Sequence, residues 1–401
     1  MFLQQYSKIK SYFLASLISL LIVSCTSSDV KDWTILVYMA ADNSLNGSAF
    51  NDIIEMQSAE FSDMINVIVQ IDYSEFHSEN YKGARRFEIF PQSSNLVSSL
   101  GEIDSGDFNS LSEYANWGFD RYRSEKKALI IWSHGNGWYD LYNRFCPDNE
   151  SGNSIDIPDG DLRAAFQQIN HHLDIVILDA CNMLNMEVIS EIYGSTDFII
   201  SSEHTIREDG FPYGDIPGDA ILSIWEDHLS TENLSIALVN SFYDSYLPGG
   251  SQNYQGDILP ISCSAVRSDK FQYLINDLQV FAEDWSSQAS AQVFQDSRNE
   301  CYEFNDLNSD IDLKQFFMKI KNESSEDSLL VEMCDMILAD IDNCFIAQQY
   351  YDFPASDIGT ASIWFPHNSD IFSDLSAEYE KLLFNSTGWK DFLENYHSRA
   401  N

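Results

Sequence analysis

Six short apolar runs set the terms on which this chain can fold. They are residues 33–39 (WTILVYM), 66–71 (NVIVQI), 128–132 (ALIIW), 174–178 (DIVIL), 198–201 (FIIS) and 361–365 (ASIWF). They are rich in β-branched residues, carry few charges and alternate little, which is the pattern of strands covered on both faces. Amphipathic stretches lie between them. Residues 110–124 place Leu111, Tyr114, Ala115 and Phe119 at helical spacing, and 161–169 do the same with Leu162, Ala165, Phe166 and Ile169. This alternation predicts an α/β chain with a mainly parallel central sheet between helical layers. Beyond about residue 215 the pattern turns helical, at 219–224, 231–246, 269–285, 311–320 and 328–342, with 361–365 expected to return to the sheet. The expected division is an α/β core at 33–215 and a helix-rich part at 216–401. Residues 146–159 and 248–256 read as exposed loops.

Two of these strands end in reactive residues. The run 128–132 continues Ser133-His134-Gly135-Asn136-Gly137-Trp138, and the run 174–178 continues Asp179-Ala180-Cys181-Asn182-Met183. In an open parallel sheet, ligands bind beyond the carboxyl ends of the strands. His134 and Cys181 are both expected there. A thiol becomes a nucleophile at neutral pH through a base or a positive helix end. A helix expected to begin near Asn185 would favour the Cys181 thiolate. His134 can take the thiol proton and return it to a leaving amine. Gly135 lets the backbone approach a substrate, and its N–H, with that of Cys181, is placed to stabilise an oxyanion. Asp179 points to the same mouth, where a carboxylate would hold a basic side chain by charge-assisted hydrogen bonds.

Charge narrows the partners. Lys and Arg number 22 against 63 Asp and Glu, a formal charge of −41. A protein that coats nucleic acid needs a basic face, and this chain has no surplus to build one. A negative field draws in cationic substrates and also keeps the chain soluble. At the N-terminus Lys8 and Lys10 precede an apolar run at 12–23. At ~1.5 Å per residue it is too short to span ~30 Å of hydrocarbon, but it suits the apolar region of a signal peptide. It closes as Leu21-Ile22-Val23-Ser24-Cys25, which resembles a bacterial lipobox. Residues 1–24 are therefore expected to be removed, Cys25 to carry lipid, and 25–32 to tether the protein to a membrane of the bacterial cell envelope. Cys146, Cys181, Cys263, Cys301, Cys334 and Cys344 form no CxxC pair, so zinc and iron–sulfur signatures are absent.

His-Gly after one strand and Asp-Ala-Cys after the next resembles the caspase–gingipain–legumain clan of cysteine peptidases. Longer strings resemble the clostripain family within it: residues 33–45 (WTILVYMAADNSL), Asn116-Trp117, 129–138 (LIIWSHGNGW), 179–183 (DACNM), Ser202-Glu203, 209–213 (DGFPY) and 362–366 (SIWFP). The resemblance runs from about Trp33 to Tyr396. It implies a caspase-like three-layer α/β/α sandwich with a helical C-terminal subdomain. It also implies an endopeptidase with a Cys181–His134 dyad that acts on proteins or peptides after Arg or Lys. Asp179 then matches the acidic base of the specificity pocket, and Asp209 its other side. Some members can be activated by self-cleavage between the dyad strands; here that loop departs from the family in being acidic, with Arg144 its one basic residue after Trp138 and before Arg163. No cofactor is required by this chemistry, but some members bind calcium. Asp148, Glu150, Asp156, Asp159 and Asp161 are candidate ligands, although their spacing fits no loop template. So are Asp306, Asn308, Asp310 and Asp312, although Ile311 stands where an EF-hand needs glycine. Two other readings remain at this point: a catalytically inactive surface lipoprotein that binds peptide or glycan, and a hydrolase using Cys181 on another acyl or amide substrate.

Overall fold

The computed structural model describes residues 30–74, 82–139, 145–214, 220–225, 229–253, 255–257, 260–288, 291–305, 310–324, 326–353 and 358–400. The expected signal peptide and Cys25 lie outside the described residues, as does Arg144. The described strands are β1 (Lys31–Ala41), β2 (Ile65–Tyr73), β3 (Gly83–Phe90), β4 (Ser93–Gly101), β5 (Ser124–Trp132), β6 (Leu173–Asp179), β7 (Thr196–Ser201), β8 (Ile261–Arg267), β9 (Glu303–Asn305), β10 (Asp310–Asp312), β11 (Phe345–Tyr351) and β12 (Ser362–Trp364). Nine of them form one sheet in the order β11-β8-β7-β6-β5-β1-β2-β3-β4. The five central strands, β7 to β2 in that order, are parallel. Antiparallel pairs extend the sheet at both ends.

The unalternating runs are explained by what covers them. Along β1, Leu36, Tyr38 and Ala40 join one buried cluster, while Ile35, Val37 and Met39 join another on the opposite face. A strand's side chains change face at each residue, so both faces need apolar cover. The first face is covered by α2 (Phe108–Arg121) and α3 (Asp161–Gln168), the second by α1 (Asn46–Ser58) and α5 (Thr231–Tyr246). The short helix α4 (Met186–Ile192) follows β6. The later helices α6 (Ser268–Gln288), α7 (Ala291–Asn299), α8 (Leu313–Glu323), α9 (Ser328–Cys344), α10 (Ser369–Tyr379) and α11 (Trp389–Ala400) extend the first cluster. The result is the three-layer α/β/α sandwich with added C-terminal helices. No helix among the described residues is long and apolar enough to cross a membrane.

The returning strand is not the expected one. Residues 361–365 contribute β12 to a separate antiparallel sheet, β12-β10-β9. The central sheet instead receives β8 and β11 from the C-terminal part, so a division at residue 215 cuts through it. β8 reads ISCSAVR and is buried through small side chains whose hydroxyls find partners: Ser264 Oγ donates to the Gly359 carbonyl, and Ser262 Oγ meets Ser202 Oγ at 3.1 Å. β11 (FIAQQYY) is a half-buried outer strand and carries no apolar run. The hairpin β3–β4 also lacks one. The helix expected from 311 begins two residues later, because Asp312 caps it by accepting the Gln315 N–H at 2.7 Å. Of the expected 219–224 helix, Ile221–Ile224 is a 3₁₀ turn and 219 lies outside the described residues.

The C-terminal elements are fastened directly to the helix that follows the cysteine strand. Ser362 N–H donates to the Leu184 carbonyl at 3.0 Å. Buried Glu187 accepts from Tyr379 Oη at 2.6 Å and from the Trp364 N–H at 3.2 Å. Glu191 accepts the Leu383 N–H at 2.8 Å and pairs with Arg163 at 3.1 Å.

Candidate active site

Register brings the two reactive strand ends together. β5 and β6 pair in parallel with Trp132 opposite Asp179, and His134 and Cys181 each stand two residues further on. Trp132 joins the core face that contains Ile175 and Ile177 of β6. Side chains two apart share a face, so Asp179 and Cys181 continue that series at the strand end. His134, Cys181 and Asp179 line one cavity of about 260 Å³, together with Ser44, Trp132 and Glu208.

The imidazole is held from the end of β1. His134 Nε2 lies 2.9 Å from Ser44 Oγ. Nε2 is thus engaged with the serine, and Nδ1 is the ring nitrogen not used in that contact. Burial pushes His134 below the ordinary imidazole value, partly offset by the Glu208 carboxylate. The neutral base is therefore the resting form at neutral pH. The Cys181 thiol donates to the Ile206 carbonyl at 3.4 Å. Burial pushes it above the ordinary thiol value, and the Asp179 charge adds to this. These two effects act against the expected helix-stabilised thiolate. α4 does begin at Met186, but its first donors are taken by the Asn185 side chain, which accepts from the N–H groups of Glu187 and Val188. Burial thus raises the thiol and lowers the imidazole, and both shifts favour the neutral forms of the dyad.

Asp179 is 4% exposed. Its Oδ2 accepts from Tyr213 Oη at 2.8 Å and from the Phe211 N–H at 3.3 Å. Both bonds fall on the same oxygen, which leaves Oδ1 for a ligand. Burial outweighs these donors and pushes the carboxyl up to about 6. Gly210 fits beside it because a Cβ there would stand 3.1 Å from Asp179 Oδ2, at a positive φ of 61°. Gly135 is equally constrained: a Cβ would meet Met183 Cγ and Sδ at 2.9 Å. Asn182, next to the cysteine, holds a left-handed φ of 59°. Its N–H reaches the His204 carbonyl at 3.1 Å, which ties the cysteine turn to the loop after β7.

Asp209 does not line this cavity. Its carboxylate meets Arg207 Nε at 3.5 Å and lines a neighbouring pocket of about 380 Å³ with Asp52, Glu55 and Glu208. The turn closed by the Gly210 N–H on the Arg207 carbonyl presents Glu208 to both pockets and Asp209 to the neighbouring one alone. Ser44 and Glu208 are the site residues that sequence reasoning missed. Ser44 follows the first strand, and the parallel pairing of β1 with β5 was the available signal. The candidate calcium ligands also divide. Asp156, Asp159 and Asp161 build the turn before α3, with Asp161 accepting the Asp156 N–H and Asp156 the Asp159 N–H. Asp312 is committed to Gln315, Gly359 and Thr360. Asp306 and Asn308 lie outside the described residues. The six described cysteines are all free thiols.

Comparison with known proteins agrees with this geometry. The clostripain family profile matches residues 37–396. Clostripain of Hathewaya histolytica is 27% identical over 219 residues, which cover 46% of this chain and 41% of that protein. The match thus spans less than half the length of that curated relative. The secreted C11 cysteine protease of Bacteroides thetaiotaomicron, solved with an irreversible peptide inhibitor, superposes with a TM-score of 0.69 at 19% identity, covering 90% of this chain and 99% of that one. An inactive zymogen C11 protease from Parabacteroides distasonis gives 0.67 at 19% identity, over 89% and 98% of the two chains. At these identities the superpositions speak for the fold, and the family profile speaks for descent. With nine-tenths of its length matched by that profile and the Cys–His cavity at the expected strand ends, the chain belongs to the clostripain family of cysteine peptidases.

Proposed function

We propose that the chain is a lipid-anchored endopeptidase that cuts proteins or peptides after Arg or Lys. The observation that carries this reading is the composition of one cavity: a thiol, a neutral imidazole and a buried carboxylate with a spare oxygen. A basic side chain entering it loses hydration, and Asp179 supplies the countercharge. The scissile carbonyl then lies against Cys181. His134 takes the thiol proton as sulfur attacks the carbonyl carbon. The N–H groups of Gly135 and Cys181 receive the oxyanion. His134 returns the proton to the leaving amine, and water, deprotonated by the same imidazole, releases the acyl group from sulfur. The half-buried thiol and imidazole lining one cavity of about 260 Å³ favour this reading over an inactive lipoprotein.

The test is hydrolysis of Arg- and Lys-terminated reporter peptides by the purified chain. Cys181→Ala and His134→Ala should each lose on the order of 10³-fold or more, because the pair acts as one unit, with unchanged circular dichroism. Wild-type turnover in Cys181→Ala would overturn the assignment. Self-processing at Arg144 belongs to the same reading: it predicts chain cleavage in the wild type that is absent in Cys181→Ala. Anchoring rests on Cys25 in its lipobox-like string. Stable attachment takes more than one acyl chain, and palmitate labelling should disappear in Cys25→Ser.

A further inference from the structure

The second pocket that Glu208 lines, about 380 Å³ against about 260 Å³ for the catalytic cavity, is walled by helix α1 on one side and the turn at 207–210 on the other. Ser48, Asn51, Asp52 and Glu55 recur three and four residues apart, so they share one face of α1. No Lys, Arg or His lines the pocket. Acidic side chains at a surface are ordinarily solvated, and Asp209 already meets Arg207 at 3.5 Å.

Asp52 is not explained that way. It is 1% exposed, and its Oδ2 is buried with no hydrogen-bond partner among the described residues. The Trp132 indole, part of the catalytic cavity, hydrogen-bonds this carboxyl. Burial, then the charges of Asp179 and Glu55, push Asp52 well above the ordinary carboxylate value, and the other charge that acts on it, Asp209, is again a carboxylate. A buried carboxyl at a pocket wall, with an unpartnered oxygen and only negative neighbours, is relieved in its ionised form by a cation that enters the pocket.

We propose that this pocket is a second cation subsite, which takes a Lys or Arg side chain one or two residues away from the basic residue that sits against Asp179. The inference rests on the Arg/Lys reading above and deepens it: the substrate class becomes peptides with paired or closely spaced basic residues. Asp52 and Glu55 meet the incoming cation from α1 and Glu208 meets it from the turn, while Ile54, 49% exposed, offers apolar surface to its stem. The two pockets adjoin, because Glu208 lines both and Trp132 links the wall of one to Asp52 in the other. An extended peptide advances roughly 3.3 Å per residue, so near neighbours in one substrate can fill both.

The test is peptide binding to the full chain carrying Cys181→Ala, read by fluorescence anisotropy. Peptides carry Arg or Gln at the cleavage position, and Lys or Ala at each of the two positions on either side. Arg against Gln reads the Asp179 pocket; Lys against Ala reads the second one. Lys should tighten binding about 5-fold or more at one of those positions, in the Arg and the Gln series alike. Asp52→Asn and Glu55→Gln should each remove most of that gain. Asp391→Asn with Glu394→Gln, which takes two charges from a separate acidic pocket, should keep it. Glu55 is half-buried, so Glu55→Gln carries the test if Asp52→Asn does not fold. Loss of the Arg preference with the Lys gain intact would refute the Arg/Lys reading and keep the subsite. Equal binding of Lys and Ala peptides at every position, a gain that survives Glu55→Gln, or an equal loss in the Asp391 and Glu394 control would overturn the subsite.

Discussion

At Cys181, burial and the adjacent Asp179 carboxylate both oppose ionisation, so the thiol keeps its proton until His134 removes it. The same Asp179 gives the site two separable dependences on pH. Its carboxyl titrates near 6 in the folded chain. As pH falls through 6, Asp179 protonates and loses its hold on a cationic side chain. The kcat/KM for Arg peptides should therefore fall there more steeply than for matched Gln peptides. The effect on stability has the opposite sense. A carboxyl raised above its unfolded value favours folding while protonated, and that contribution is lost as pH rises from about 4 to about 6. Asp179→Asn should then raise the melting temperature at pH 7 by a few degrees. It should also cost about 2–4 kcal/mol of transition-state binding for Arg substrates and far less for Gln. Equal losses on Arg, Lys and Gln peptides would assign Asp179 a purely structural role. Cys181, His134 and Asp179 were readable because each follows an uninterrupted apolar run, where any reactive residue stands out. Ser44 and Glu208 were not: a serine in a turn and an acid in a strongly acidic chain carry no local signal, and only strand pairing and the Gly210 turn place them in the cavity.

Among the elements, those buried on both faces were legible and those on the margins were not. β1, β2, β5, β6 and β7 contain the expected runs, because a strand covered on both sides cannot afford polar alternation. β8 escaped because Ser262, Cys263, Ser264 and Ala265 fill tight space with little apolar signal. The run of β12 suggests a strand of the central sheet because it is fully buried, but it lies in the small sheet with β10 and β9, and aromatic packing with Trp138, Tyr379 and Trp389 helps bury it. Periodicity reports burial and not the identity of the cover. The helix α4 shows how one residue joins local and distant structure. Asn185 caps it and also donates to Ser362 Oγ at 3.3 Å. Asn185→Ala should cost about 1–2 kcal/mol, read as a lower urea midpoint with unchanged slope. A changed slope would mean that the C-terminal elements had come loose as a separate unit.

The molecule as a whole carries a formal charge of −41, so its field extends beyond the cavity. Encounter with cationic peptides should be steered, and steering is screened by salt over roughly 10 Å at 0.1 M. Raising ionic strength from about 20 to about 300 mM, which shortens that length roughly fourfold, should lower kcat/KM for Arg peptides more than for Gln peptides. Equal responses would confine recognition to the pocket. The long-range fastening of α4 has a consequence in time. Tyr379 and Leu383 each lie 192 residues beyond the acids they meet, Glu187 and Glu191. A ribosome delivers Cys181 and His134 long before it delivers those partners. Until then buried Glu187 lacks the Tyr379 hydroxyl and the Trp364 N–H, two of its donors, and the helix beside the nucleophile is disfavoured in its final packing. The surroundings of the cysteine therefore reach their final packing only once the segment from Ser362 to Leu383 has joined them.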